Sequence, residues 1–116
     1  MKLFDSELRV MDVLWREGDL PARQIADVLT RQIGWNVNTT YTLIKRCIGK
    51  GAIERREPGF VCRALVSREQ VQQEETQELI DRLFDGSAEA LFASLLGSKR
   101  VSEEQMQRLR RMIDEM

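Results

Sequence analysis

Gly18, Gly34, Gly51 and Gly59 cut the first half of this chain into runs of no more than seventeen residues, which leaves room only for short elements. Apolar spacing says what each run becomes. Between residues 5 and 17, Leu8, Met11, Leu14 and Trp15 recur close to helical period, with Asp5 or Ser6 as N-cap and Gly18 as the stop. Pro21 suits the first position of a second helix, running to about Gln32 with Ile25, Val28 and Leu29 turned inward until Gly34 breaks it. A third helix spans roughly Val37 to Lys50, with Asn36 as N-cap and Gly51 able to take the left-handed conformation that closes a helix. Ala52 to Arg56 and Phe60 to Leu65 are strand-like runs on either side of Glu57-Pro58-Gly59, a turn-forming cluster, and together predict a β-hairpin.

Three short helices followed by a two-stranded hairpin is the order of a winged helix-turn-helix, in which the third helix enters a DNA groove and the hairpin touches the backbone. The remainder reads as helical. Ser67 and Gln70 have capping-box spacing before a helix to about Phe84, Gly86-Ser87 interrupts, Ala88 to Leu96 forms a short helix, and Ser102 with Gln105 caps the last. The expected fold class is therefore mainly α with a small β-hairpin: a winged-helix DNA-binding domain over residues 1–66 and a helical dimerisation domain over 67–116.

The overall charge of −1 looks wrong for a partner of DNA, but it hides a segregation. Residues 1–65 carry eleven Lys and Arg against eight Asp and Glu, whereas residues 66–116 carry seven against eleven. The stretch 38–63 alone holds six basic residues against two acidic ones, so the positive charge is concentrated on the third helix and the hairpin. The chain has no histidine, which removes His-based triads, imidazole metal ligands and the usual neutral-pH general base. Cys47 and Cys62 stand in neither a C-x-x-C pair nor a zinc spacing and read as small apolar residues in a reducing compartment. No P-loop, dinucleotide fingerprint, paired-carboxylate or nucleophile motif is present, so neither an enzyme nor a cofactor or metal site is expected. No apolar run approaches the roughly 20 residues that span a bilayer, and the N-terminus turns acidic before a signal core could form, so a cytoplasmic location away from membranes is expected.

On a wheel of about 100° per residue, Asn38, Thr39, Thr42, Lys45, Arg46 and Gly49 of the third helix share an arc of roughly 120°. Thr40, Leu43, Ile44, Cys47 and Ile48 lie opposite. Asn can pair with adenine, Thr can meet a thymine methyl or a phosphate, and Arg can bind guanine in bidentate fashion, so this face suits a major groove. Any surface helix has a polar face; its position between a second helix and a hairpin is what favours DNA here. On the hairpin, Arg55, Arg56 and Arg63 flank a tip without a large apolar residue and are expected to meet phosphates, although exposed strand arginines are also ordinary.

Beyond the hairpin, Leu79, Ile80, Leu83 and Phe84, then Leu91, Phe92, Leu95 and Leu96, then Met106, Leu109, Ile113 and Met116 form stripes larger than three short helices can bury on one another. A second copy of the chain is the commoner cover for such surface, and Leu79, Leu83, Phe84, Leu91, Phe92, Leu95, Leu96, Leu109 and Ile113 are the expected dimerisation residues. Gln72 to Glu78 reads as a solvated arm between the halves.

Glu7 to Trp15, Trp35 to Arg46 and Lys50-Gly51-Ala52-Ile53 carry the patterns E-x-x-V-M-x-x-x-W and W-x-x-x-T-x-x-T-L-x-x-R. In these segments, and over nearly its whole length, the chain resembles the penicillinase repressor family, the BlaI/MecI type that also includes copper-responsive CopY proteins. The resemblance implies a homodimeric winged-helix repressor on a pseudo-palindromic operator, with Asn38, Thr39, Thr42 and Arg46 on DNA and Leu91, Phe92, Leu95 and Ile113 in the dimerisation region. It also brings in a sensor protease as a partner, since β-lactam-responsive members are cut at an Asn-Phe bond in the tail. Here the corresponding stretch is Ala90 to Leu95 and lacks that dipeptide, and no cysteine follows Cys62 to form the copper cluster of CopY-type members. The residues alone leave a second reading open: a winged-helix interaction module whose tail binds another protein and whose basic face binds DNA weakly or not at all.

Overall fold

A computed structural model describes residues 1–116. The chain forms α1 (Asp5–Glu17), β1 (Leu20–Pro21), α2 (Ala22–Ile33), α3 (Val37–Gly49), β2 (Ile53–Arg56), β3 (Val61–Ala64), α4 (Arg68–Leu83), α5 (Ala88–Gly97) and α6 (Glu103–Asp114). It divides into two compact units, Met1–Glu75 and Thr76–Met116.

In the first unit, α1, α2 and α3 pack around Val10, Met11, Val13, Leu14, Ile25, Leu29, Leu43, Ile44 and Cys47. Ile53 and Cys62 close this core from the sheet side. Each such aliphatic side chain withdrawn from water contributes about 1.5–3 kcal/mol before the entropy of ordering is counted. The sheet has three strands in the order β1-β3-β2, all antiparallel. The expected hairpin is β2 and β3, with Glu54 opposite Arg63 and Arg55 opposite Cys62. The third strand was not expected. β1 pairs Leu20 with Cys62 and Pro21 with Val61, at an edge where a residue without an N–H is tolerated.

Two local expectations are corrected. Phe4, not Asp5 or Ser6, holds the N-cap position of α1, and its N–H is satisfied at 2.7 Å by the carboxylate of Glu7 three residues on. Pro21 is extended (φ −58°, ψ 144°) rather than helical, so α2 starts at Ala22, whose N–H goes instead to the carbonyl of Phe60 at 2.9 Å. The polar stretch 72–78 is solvated as expected, with Glu75 alone half-buried. It lies within α4, where the Glu74 carboxylate meets the N-terminal amine at 2.7 Å and that of Glu75 accepts the Leu3 N–H at 3.3 Å. The first half of α4 thus falls in the first compact unit. Val71 is buried there, and the indole N–H of half-buried Trp15 donates to the Val66 carbonyl at 2.9 Å.

The second unit holds the rest of α4 with α5 and α6. Ser87 caps α5 by accepting the Ala90 N–H at 3.1 Å, and Ser102 with Gln105 forms the expected capping box of α6. Ile80 is buried, but α5 and α6 contain no buried residue. No helix of the chain is long and apolar enough to cross a membrane.

Candidate nucleic-acid interface

The third helix presents the two faces that its spacing predicts. Asn38, Thr39, Thr42, Lys45, Arg46 and Gly49 are exposed, while Thr40, Leu43, Ile44 and Cys47 are buried and Ile48 half-buried. Its start is set by Asn36, whose side-chain oxygen accepts the Asn38 N–H at 2.7 Å. The Thr42 hydroxyl donates to the Asn38 carbonyl at 3.0 Å, which fixes its rotamer and leaves the hydroxyl oxygen able to accept. Lys45 and Arg46 join no ion pair, so both cations are available to an outside anion.

The far end of α3 is held by a residue whose only sequence signal is its place in a family pattern. Glu7 of α1 is fully buried, and the ammonium of Lys50, at the C-cap of α3, donates to its Oε1 at 2.6 Å. Lys50 also donates to the Lys2 carbonyl at 2.8 Å and lies 4.2 Å from the centre of the Phe4 ring. Burial alone pushes the Glu7 carboxyl upward, but the Lys50 hydrogen bond, the Phe4 N–H and the charges of Lys50 and Arg46 together hold it below its ordinary range. Glu7 is therefore an ionised buried carboxylate that ties both ends of its contact, α1 and the C-terminus of α3, into one rigid corner. Its Oε2 and the Thr40 hydroxyl are the two buried side-chain atoms without a hydrogen-bond partner.

Burial raises both thiols, Cys47 to about 12 and Cys62 to about 11, so each stays protonated and unreactive in the core. That agrees with their reading as small apolar residues.

On the hairpin, Arg55, Arg56 and Arg63 are exposed. Arg55 pairs with Glu57 at 2.6 Å and Arg56 with Glu54 at 3.0 Å, whereas Arg63 forms no ion pair. The tip is less polar than expected. Phe60 precedes β3 instead of opening it, and its ring lies against Tyr41 of α3 and under the Arg55 guanidinium. Phe60 reads as a strand residue because aromatic side chains favour strands, and nothing local marks its turn conformation.

The expected dimerisation residues are largely open to solvent in the single chain. Leu83, Phe92, Leu96, Leu109 and Ile113 are exposed, with Ile113 at 67%, and Leu79, Phe84, Leu91 and Leu95 are half-buried. Met106, Met112 and Met116 add to the same uncovered surface.

The profile described as penicillinase repressor matches residues 3–115. The penicillinase repressor of Bacillus licheniformis is 22% identical over 116 residues, covering 98% of this chain and 91% of that protein. The methicillin resistance regulatory protein MecI of Staphylococcus aureus (strain N315) is 23% identical over 115 residues, covering 97% and 94%. Among solved structures, the DNA-binding domain of the repressor BlaI in solution matches with a TM-score of 0.54 and 28% identity, over 58% of this chain and 84% of that one.

Proposed function

The chain belongs to the penicillinase repressor family, a family of transcriptional repressors and not of enzymes, and from that premise we propose that it represses transcription by binding a pseudo-palindromic operator as a homodimer. In this reading Asn38, Thr39, Thr42, Lys45 and Arg46 enter the major groove, and Arg55, Arg56 and Arg63 meet the flanking phosphates. The observation that carries it is the exposed face of α3, which concentrates short hydrogen-bonding side chains and two unpaired cations between α2 and the wing. Bases are read by such side chains, whereas wing arginines add affinity and register without sequence information.

The homodimer is supported by the tail. A soluble monomer rarely leaves apolar surface of this extent uncovered, and an isologous contact would cover it on both copies at once. Two recognition helices related by a two-fold axis then face two half-sites about one helical turn apart, or a multiple of that. Residues 1–66 would carry DNA binding and residues 67–116 dimerisation, with the docked first half of α4 joining the roles. Titration of Arg46→Ala against a preferred duplex and a scrambled one tests the assignment. Preference should fall by about 1–3 kcal/mol on removal of a bidentate pairing with a base. Equal weakening on both duplexes would take Arg46 out of base reading.

A further inference from the structure

One aromatic ring of the wing lies against the recognition helix. Phe60 has φ of 49°, a left-handed conformation that a bulky side chain rarely adopts and that glycine or asparagine would adopt readily. Backbone and ring interactions hold it there. Its carbonyl accepts the Ala22 N–H at 2.9 Å, at the start of α2, and its own N–H donates to Glu57 Oε2 at 3.2 Å. Its ring stands edge to face with Tyr41 of α3, centroids 5.9 Å apart at 68°. The Arg55 guanidinium lies 3.7 Å from the centre of the same ring, while its Nε donates to Glu57 Oε1 at 2.6 Å.

We propose that Phe60 is a positioning residue: held by Tyr41, it seats the Arg55 guanidinium beside the recognition helix, so that wing and helix engage the duplex as one preset surface. The inference rests on the reading of Arg55 as a phosphate ligand. A guanidinium stacked on a ring has its planar fork of N–H donors directed outward from the ring edge, the arrangement that suits a bidentate oxyanion. Glu57 occupies part of that fork in the free protein, and a phosphate oxygen takes its place on DNA. An arginine already seated this way gives up less rotamer freedom on binding than one on a bare strand. The left-handed backbone at Phe60 is therefore kept because of what its ring holds.

The test is the salt dependence of binding to a mixed-sequence duplex, where phosphate neutralisation dominates. For each phosphate that the protein no longer neutralises, the slope of log K against log salt becomes shallower by about 0.9. Arg55→Ala should show that change once per wing. Phe60→Leu should move in the same direction, Phe60→Tyr should keep the wild-type slope, and Phe60→Leu combined with Arg55→Ala should be no shallower than Arg55→Ala alone. A purely structural role would lower the melting temperature of Phe60→Leu and leave the slope of the folded protein unchanged. A wild-type slope in Phe60→Leu beside a shallower one in Arg55→Ala overturns the role of Phe60 alone, as does a full further step in the double variant. An unchanged slope in Arg55→Ala overturns the phosphate reading of Arg55 and the proposal with it. Should Phe60→Leu melt below the assay temperature, Tyr41→Leu is read on the same plot: a shallower slope supports the brace and a wild-type slope overturns it.

Discussion

Replacing Lys50 by Met removes the ammonium from a fully buried carboxylate while keeping much of the apolar stem. Removing one partner of a buried pair costs about 3–5 kcal/mol, because the other charge is left without compensation. The Lys50 side chain is 30% exposed, so some water reaches the pair and the lower end, about 3 kcal/mol, is expected. For a unit of this size each kcal/mol shifts the midpoint by about 4–8 °C, giving a fall of about 12–24 °C. The pH dependence should change sign as well. In the wild type the Glu7 carboxyl is depressed in the folded state, so its contribution is fully present above the unfolded value of about 4.3 and lost as pH falls through the lower folded value. Without Lys50, burial, already the largest single influence, outweighs the Phe4 N–H and the Arg46 charge and raises the folded value above the unfolded one. Stability is then greatest at low pH and lost as pH rises through the raised value. Melts followed by circular dichroism at pH 7 and pH 5 should show Lys50→Met gaining stability toward pH 5, against a wild type that gains none from this group over that range. A loss below about 1 kcal/mol, the scale of an exposed pair, or an unaltered pH trend would show that Lys50 does not compensate a buried charge.

Cys47→Ser should cost about 1–3 kcal/mol in melts by placing a hydroxyl in an apolar site, with operator affinity of the folded protein unchanged. Thr40→Val should be neutral or stabilising by about 1 kcal/mol, since the buried Thr40 hydroxyl has no partner to lose. Arg56→Ala should weaken binding to preferred and scrambled duplexes alike, in contrast to Arg46→Ala, when both are followed by anisotropy. Phe92→Asp with Ile113→Asp should leave the helical content intact, because both side chains are exposed in the chain, and should yield a monomer on sedimentation.

What could be read from the residues follows the range over which each signal acts. Helix α3 was legible because its two faces, its Asn36 cap and its stop at Gly51 all lie within sixteen positions. Likewise, the capping boxes at Ser67 and Ser102 are three-residue patterns, and both form. β1 escaped because two residues have no period, and its register with Cys62 is set by a partner some forty positions away. The Glu7–Lys50 pair spans 43 positions, so no local pattern announces it. At Phe60, strand propensity pointed one way and tertiary packing against Tyr41 and Ala22 won. For the tail the stripes themselves were visible in the sequence, and the structure adds that they stay uncovered within one chain.

The central claim is that a symmetric pair of α3 faces reads a specific DNA sequence. Its most direct test is to bind the full chain to a pool of random-sequence duplexes, recover the bound fraction and sequence it. The expected result is enrichment of one pseudo-palindrome whose half-sites are centred about 10 base pairs apart, or a multiple of that, with the enrichment abolished in Arg46→Ala. A bound fraction with no enriched sequence, or an enriched single half-site without its symmetric mate, would contradict it.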